Sequence, residues 1–151
     1  MDIVNIAHNP WVCSCDPTSK RLMQFLSQKR IISCCPSSCR CSANDGHSLE
    51  INCTAQNKTI LPSCLPFDYV KLYYGNNRLK SVNFTKYQAN VTFLYLHNNH
   101  ISNVEGHTLG ILKNLTHFDL RFNNLTNLPK EMRKLKTAKI FLRGKIAVIV
   151  N

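Results

Sequence analysis

Three stretches of the chain repeat one order of apolar and polar positions. They read Tyr69-x-x-Leu72-x-Tyr74-x-x-Asn77-x-Leu79-x-x-Val82, then Val91-x-x-Leu94-x-Leu96-x-x-Asn99-x-Ile101-x-x-Val104, then Leu115-x-x-Phe118-x-Leu120-x-x-Asn123-x-Leu125-x-x-Leu128. The starts lie 22 and 24 residues apart. One such segment could arise by chance, but three in phase could not. Positions 4 and 6 flank a single residue on a short strand, so both side chains point to the same side. Positions 1, 11 and 14 add apolar contacts around the turn. The Asn at position 9 is expected inside, where its amide donates and accepts hydrogen bonds to backbone of neighbouring turns. One copy cannot bury its own apolar face, so the copies must stack.

The pattern resembles the leucine-rich repeat, L-x-x-L-x-L-x-x-N-x-L. A further copy begins at Thr137-x-x-Ile140-x-Leu142, but Lys145 stands where Asn is required. Another lies at the start, Met1-x-x-Val4-x-Ile6-x-x-Asn9, running into Pro10-Trp11-Val12-Cys13-Ser14-Cys15. The implied fold is an α/β-type leucine-rich-repeat solenoid. A short parallel β-sheet forms its concave face, and its convex side is irregular. Asn9, Asn77, Asn99 and Asn123 are its structural asparagines.

Eight cysteines change the picture, all within the first 64 residues: Cys13, Cys15, Cys34, Cys35, Cys39, Cys41, Cys53 and Cys64. An even number in tight groups reads as a disulfide framework in an oxidising compartment. Thiols in close groups also bind zinc, but the spacings here are C-S-C, C-C and C-P-S-S-C-R-C, with no pair of C-x-x-C knuckles. An intracellular, thiol-rich metal-binding protein is therefore the weakest of the readings kept open. Asn-x-Ser/Thr acceptors for glycosylation stand at Asn52, Asn57, Asn83, Asn90, Asn114 and Asn124. With this composition chance gives roughly two matches to the acceptor pattern, so six point to the secretory pathway.

Asn9-Pro10-Trp11 through Cys15 looks like the start of a cysteine-rich C-terminal cap of extracellular repeat arrays. Leu22, Phe25 and Leu26 share one face of a short helix expected from Thr18 to about Lys29. Cys35-Pro36-Ser37-Ser38-Cys39-Arg40-Cys41, followed by Leu49-x-Ile51-x-Cys53 and Leu61-Pro62, resembles an N-terminal cap. Its strand places Leu49, Ile51 and Cys53 inward and Asn52 outward. By that resemblance the pairs are Cys35–Cys41 and Cys39–Cys53, with Cys13–Cys34 in the preceding cap; Cys15 and Cys64 are left without an assigned partner. The order of the caps, C-terminal then N-terminal, resembles the ectodomain of Toll-like receptors of the invertebrate type. The resemblance covers residues 1 to about 144. It implies the end of a preceding repeat at 1–9, a C-terminal cap at 10–34, an N-terminal cap at 35–64, repeats at 65–144 and a non-family tail at 145–151. Slit-like guidance proteins, or other extracellular leucine-rich-repeat adhesion proteins, are the near alternative. Their C-terminal caps are usually longer.

The net charge of +11 admits acidic partners, nucleic acid included, although a solvated basic surface is the commoner meaning. His8, His47, His97, His100, His107 and His117 form no H-E-x-x-H or other metal spacing, and no Walker loop or nucleophile elbow is present. A non-enzymatic binding module is expected, without a cofactor or metal. Met1-Asp-Ile-Val-Asn-Ile lacks a basic start and a long apolar stretch, and no run approaches the ~18 apolar residues of a membrane span. The chain is therefore expected to be a piece of a longer receptor, on the extracellular side of the plasma membrane. Positions 3, 5, 7 and 8 face outward on the strands: Lys71, Tyr73, Gly75 and Asn76; Phe93, Tyr95, His97 and Asn98; His117, Asp119, Arg121 and Phe122; Lys139, Phe141 and Arg143. Tyr, Phe and Arg are interface anchors, and Tyr73, Tyr95, His97 and Arg121, in adjacent columns across three repeats, are the candidate partner-binding residues. The resemblance implies a cystine-knot, cytokine-like protein ligand or a microbial product as partner, or a receptor homodimer; nucleic acid is not favoured. Asn83, Asn90, Asn114 and Asn124 fall outside these positions, so glycans are expected on the rims and convex side, with the concave strands bare.

Overall fold

A computed structural model describes residues 35–44, 48–63, 65 and 69–142. The segments 1–34 and 143–151 lie outside it. With them lie the first cap and its helix, Asn9, the Cys13–Cys34 pair, Cys15 and Arg143; Cys64 is also outside the described residues.

Among the described residues the first elements are two antiparallel strands, β1 (Arg40–Asn44) and β2 (Ser48–Asn52). β2 then pairs in parallel with β3 (Tyr69–Tyr73), and β3 with β5 (Val91–Tyr95). β5 pairs with β7 (His117–Asp119) and β7 with β8 (Lys139–Phe141), so the described residues form a six-stranded sheet. Each return crosses the opposite side of the molecule. There β4 (Ser81–Val82) and β6 (Asn103–Val104) form a two-stranded ladder. Short 3-10 turns follow at Lys86–Gln88, Gly106–Ile111 and Lys130–Lys134. The described residues form a solenoid with the sheet, parallel from β2 onwards, on one side.

The apolar positions fill its interior. Leu72, Leu94 and Phe118 at position 4, Leu96 and Leu120 at position 6, and Leu79, Ile101 and Leu125 at position 11 are all buried. Tyr74 takes position 6 in the first copy because its hydroxyl can donate to the Ile60 carbonyl at 2.8 Å. Burial pushes that hydroxyl's pKa up to about 12. Position 1 of the first copy departs from the repeat. Tyr69 is 54 % exposed, whereas Val70 is 1 % exposed and pairs with Val91, with a register shift before Lys71. The reason lies in β2. Leu49 and Ile51 alternate there, and β3 copies that period of two with Val70 and Leu72.

The asparagines tie each turn to the one before it. The Asn77 amide nitrogen donates to the carbonyls of Cys53, Tyr74 and Gly75, and its oxygen accepts from the Gln56 and Lys58 amides. Asn99 donates to Tyr74, Leu96 and His97 and accepts from Leu79. Asn123 donates to Leu96, Leu120 and Arg121 and accepts from Ile101. Asn77 and Asn99 are buried, but Asn123 is only half-buried, contrary to expectation. Its hydrogen bonds nevertheless repeat those of Asn99.

Position 8 carries a second constraint. Asn76, Asn98 and Phe122 all have positive φ, 55°, 51° and 56°, and so does Ala55 in the cap, at 56°. Asn tolerates this left-handed backbone and Phe does not.

On the convex side, the Thr108 hydroxyl donates to the Glu105 carbonyl and accepts from the Phe84 amide. Gln88 donates to the Pro62 carbonyl. Phe84 meets Phe118 edge to face, with centroids 6.2 Å apart. At the cap end, disulfides join Cys35 to Cys41 and Cys39 to Cys53, with Cα separations of 5.8 and 4.4 Å. Cys53 is buried, so the second bond fastens the chain before β1 to the core.

Two stability measurements follow. Replacing Asn99 with Ala should lower unfolding free energy by roughly 1–3 kcal/mol, because buried backbone groups lose their partners; urea titration reads this, and an unchanged midpoint would remove the asparagine ladder as a stabilising device. Replacing Phe122 with Asn should raise stability by about 1 kcal/mol, by relieving the left-handed strain. A lower midpoint would mean that the Phe122 side chain contributes more than its backbone costs.

Candidate functional site

Strand alternation turns Lys71, Tyr73, Phe93, Tyr95, His117, Asp119, Lys139 and Phe141 away from the core. The pairing sets them in two rows. Lys71, Phe93, His117 and Lys139 are direct neighbours in one, and Tyr73, Tyr95, Asp119 and Phe141 in the other. Neighbouring strands are about 4.8 Å apart, close to the separation of stacked rings. Tyr73 and Tyr95 accordingly stack with centroids 4.8 Å apart and planes 3° from parallel. Phe93 stacks on His117 at 4.3 Å and 9°, and His117 continues towards Phe141 at 6.3 Å. Phe93 and Tyr95 lie 6.4 Å apart. Lys71 sits over Phe93, with its ammonium 5.4 Å from the ring centre and 3.3 Å from Glu50 Oε1.

This geometry turns the ring faces towards one another, so the rings offer mainly their edges to a partner. Aromatic edges carry partial positive charge. The Tyr73 hydroxyl holds its proton more tightly than usual, through burial first and then the charge of Glu50 and the ionisable hydroxyl of Tyr95, against Lys71.

Asp119 departs from the expected pattern. Its place in the row is outward, yet it is 1 % exposed. Arg121 covers it. The guanidinium donates from Nε to Oδ1 at 2.9 Å and from Nη2 to Oδ2 at 2.7 Å, and the Arg121 amide adds a third bond at 3.1 Å. His97 lies on its other side, with Nδ1 3.6 Å from Oδ2. Burial alone would raise the Asp119 pKa. The hydrogen bonds and charge of Arg121, with a smaller contribution from His97, outweigh it and hold the carboxyl below the usual range. The same pairing raises the pKa of Arg121.

His97 is fixed from a third direction by Gly75. A β-carbon on Gly75 would stand 2.5 Å from His97 Nε2, so only glycine lets the ring lie there. Of the four partner-binding candidates, Tyr73 and Tyr95 meet ring to ring, while His97 and Arg121 meet at Asp119. Sequence reasoning placed Phe93, His117 and Phe141 outward but did not see them as a ladder. Their spacing of one repeat was the available signal. It also gave Arg121 as an outward contact residue, and the structure gives it a carboxylate partner.

The glycan acceptors need one correction. Asn83, Asn114 and Asn124 are exposed, and Asn90 is partly so, all outside the two rows. Asn57 is exposed in the cap loop. Asn52, however, pairs with Tyr73 in the register and is exposed at the head of the Tyr73 row. An acceptor therefore does lie on the concave side, in the cap strand, where the repeat numbering did not reach.

The fold and this face define a leucine-rich-repeat solenoid, whose disulfides fit an extracellular protein. Comparison with known proteins agrees: residues 89–144 match the leucine rich repeat family. The chain is similar to the peroxidasin homolog pxn-2 of Caenorhabditis elegans, 36 % identical over 62 residues, which are 41 % of this chain and 4 % of that protein. It is also similar to leucine-rich repeat-containing protein 3 of Danio rerio, 30 % identical over 112 residues, 72 % of this chain and 41 % of that one. The chain thus spans less than half the length of either relative. Among the described residues no helix is long and apolar enough to cross a membrane.

The pairing of Asp119 makes a pH test. A carboxyl whose folded pKa is depressed stabilises the fold fully above its unfolded value of about 3.9. That contribution is lost as pH falls through the folded pKa. Asp119→Asn should therefore melt below the parent chain at about pH 7 and converge with it in acid, as followed by Tm against pH. A difference that persists undiminished in acid would assign the effect to packing rather than charge.

Proposed function

We propose that this chain is an extracellular, non-enzymatic protein-binding segment of a Toll-like receptor. Its concave face serves ligand binding or receptor dimerisation. The observation that carries this reading is the ladder of Tyr73, Tyr95, Phe93, His117 and Phe141 across four adjacent strands, flanked by Lys71 and by Arg121 on Asp119. Leucine-rich repeats in general mediate protein–protein contacts and are generally non-enzymatic, and no catalytic motif argues otherwise. Aromatic residues held by their neighbours lose little entropy on binding, and Tyr and Arg are the residues in which interface energy concentrates. The Toll assignment rests on the order of the two cysteine-rich segments. A cystine-knot, cytokine-like protein, a microbial product or a second receptor copy is the partner that this resemblance implies. Glycans at Asn83, Asn90, Asn114 and Asn124 would leave the repeats' strands clear, while one at Asn52 would border them on the cap side.

Replacing Tyr95 and Arg121 with Ala in the full receptor tests the face. The pair should weaken ligand binding or dimerisation by at least about 2 kcal/mol, the level of interface hot spots. Unchanged ligand affinity and dimerisation, at normal surface expression, would leave the face as structural surface only.

A further inference from the structure

The last two described turns carry an excess of cations, five of them away from the concave face. Between residues 106 and 142 stand Lys113, Arg121, Lys130, Arg133, Lys134, Lys136 and Lys139, against Asp119 and Glu131. Asp119 is taken by Arg121. Glu131 leans on Gly106 of the preceding turn, where an added β-carbon would collide with its carboxylate. The remaining cations have no carboxylate within ion-pair distance among the described residues.

The fold gathers five of them. The 3-10 turns Gly106–Ile111 and Lys130–Lys134 pack side by side. Each ends on a buried leucine, Leu112 or Leu135, whose carbonyl accepts from the amide three residues on, of Leu115 or Ala138. Lys113 and Lys136 follow those leucines, so they hold the same place on adjacent turns. Lys130, Arg133 and Lys134 extend the row along the convex side, and all five are exposed.

We infer that this convex cluster of Lys113, Lys130, Arg133, Lys134 and Lys136 binds a linear sulfated polysaccharide. Closely set cations on one surface raise local anion concentration and favour a polyanion over single ions. A folded protein partner needs a buried apolar or aromatic anchor. Here Met132 and Leu135 point into the core and no aromatic ring stands among the five. Single-stranded nucleic acid needs aromatic faces on which bases stack, and neither 106–116 nor 129–136 contains Phe, Tyr or Trp. A flexible chain of sulfate groups asks only for spaced cations. The choice of a sulfated polymer rests on the extracellular reading; the face proposed above for protein partners is separate and is tested separately.

The test measures binding of a heparin oligosaccharide to the whole chain, secreted with its glycans, at about physiological salt. The variant Arg133→Gln/Lys134→Gln/Lys136→Gln is compared with Arg78→Gln/Lys80→Gln/Lys86→Gln, which removes equal charge elsewhere. The first should bind at least about tenfold more weakly, since each cation near an anionic surface contributes comparably. The second should stay within about twofold of the parent. Both variants change exposed side chains, and thermal melting checks that they fold. Equal losses in the two variants would reduce the effect to net charge and overturn the proposal. So would equal binding of an unsulfated, carboxylate-only polysaccharide, tighter binding of single-stranded DNA, or no binding by the parent chain.

Discussion

Everything in this fold depends on satisfying backbone groups where the chain leaves the sheet. A strand of three to five residues ends while its neighbours still need partners, and the turn that follows is partly buried. An unpaired buried amide or carbonyl costs about 1–3 kcal/mol, so several per turn would cancel what the apolar core contributes. Asn77, Asn99 and Asn123 each supply an acceptor and a donor at that point. The leucines can then close over them, and the strands can lie in register. The rows of outward side chains exist only because that register is kept.

The same register turns a list of aromatic residues into a ladder. Tyr73 and Tyr95 are far apart in sequence and 4.8 Å apart in space, because strand separation and ring stacking share nearly one length. Asp119 interrupts one row, and its charge has to be met. Arg121, two residues on, meets it, with the His97 ring from the turn after β5 lying beside it, and Gly75 provides the room. A cation and an anion that the alternation alone would have placed in solvent thus become part of the surface's framework.

Much of this was legible in the sequence because the repeat states its own period. The apolar positions, the asparagines and the outward residues could be read from three aligned segments. What escaped were features that period does not encode. Tyr69 occupies a formal apolar position, but β2 imposes an alternation of two, so Val70 is the residue buried. The strand β1 has no counterpart in any repeat, although Asp45-Gly46 between two extended segments is a hairpin signal. Asn52 was read as outward, but its place at the head of the Tyr73 row follows from pairing across the boundary of the cap. The burial of Asp119 depends on the rotamer of Arg121, which spacing cannot give. Thr108 and Gln88 bind backbone on the convex side, where the copies differ in length and no alignment could find them.

The asparagine bonds also have a direction. Each reaches back to the turn before it, and the described bonds reach no further: Asn99 touches the Tyr74 carbonyl and the Leu79 amide, while Asn123 touches those of Leu96 and Ile101. A turn therefore depends on one neighbour on each side and is indifferent to how many others follow. Genetic duplication or loss of one whole copy would leave every remaining bond with an equivalent partner. Gain or loss of a few residues within the strand or its turn would strand an amide. Such a chain can change the length of its concave surface in steps of one strand, lengthening or shortening the aromatic ladder as it does so, without redesigning its interior.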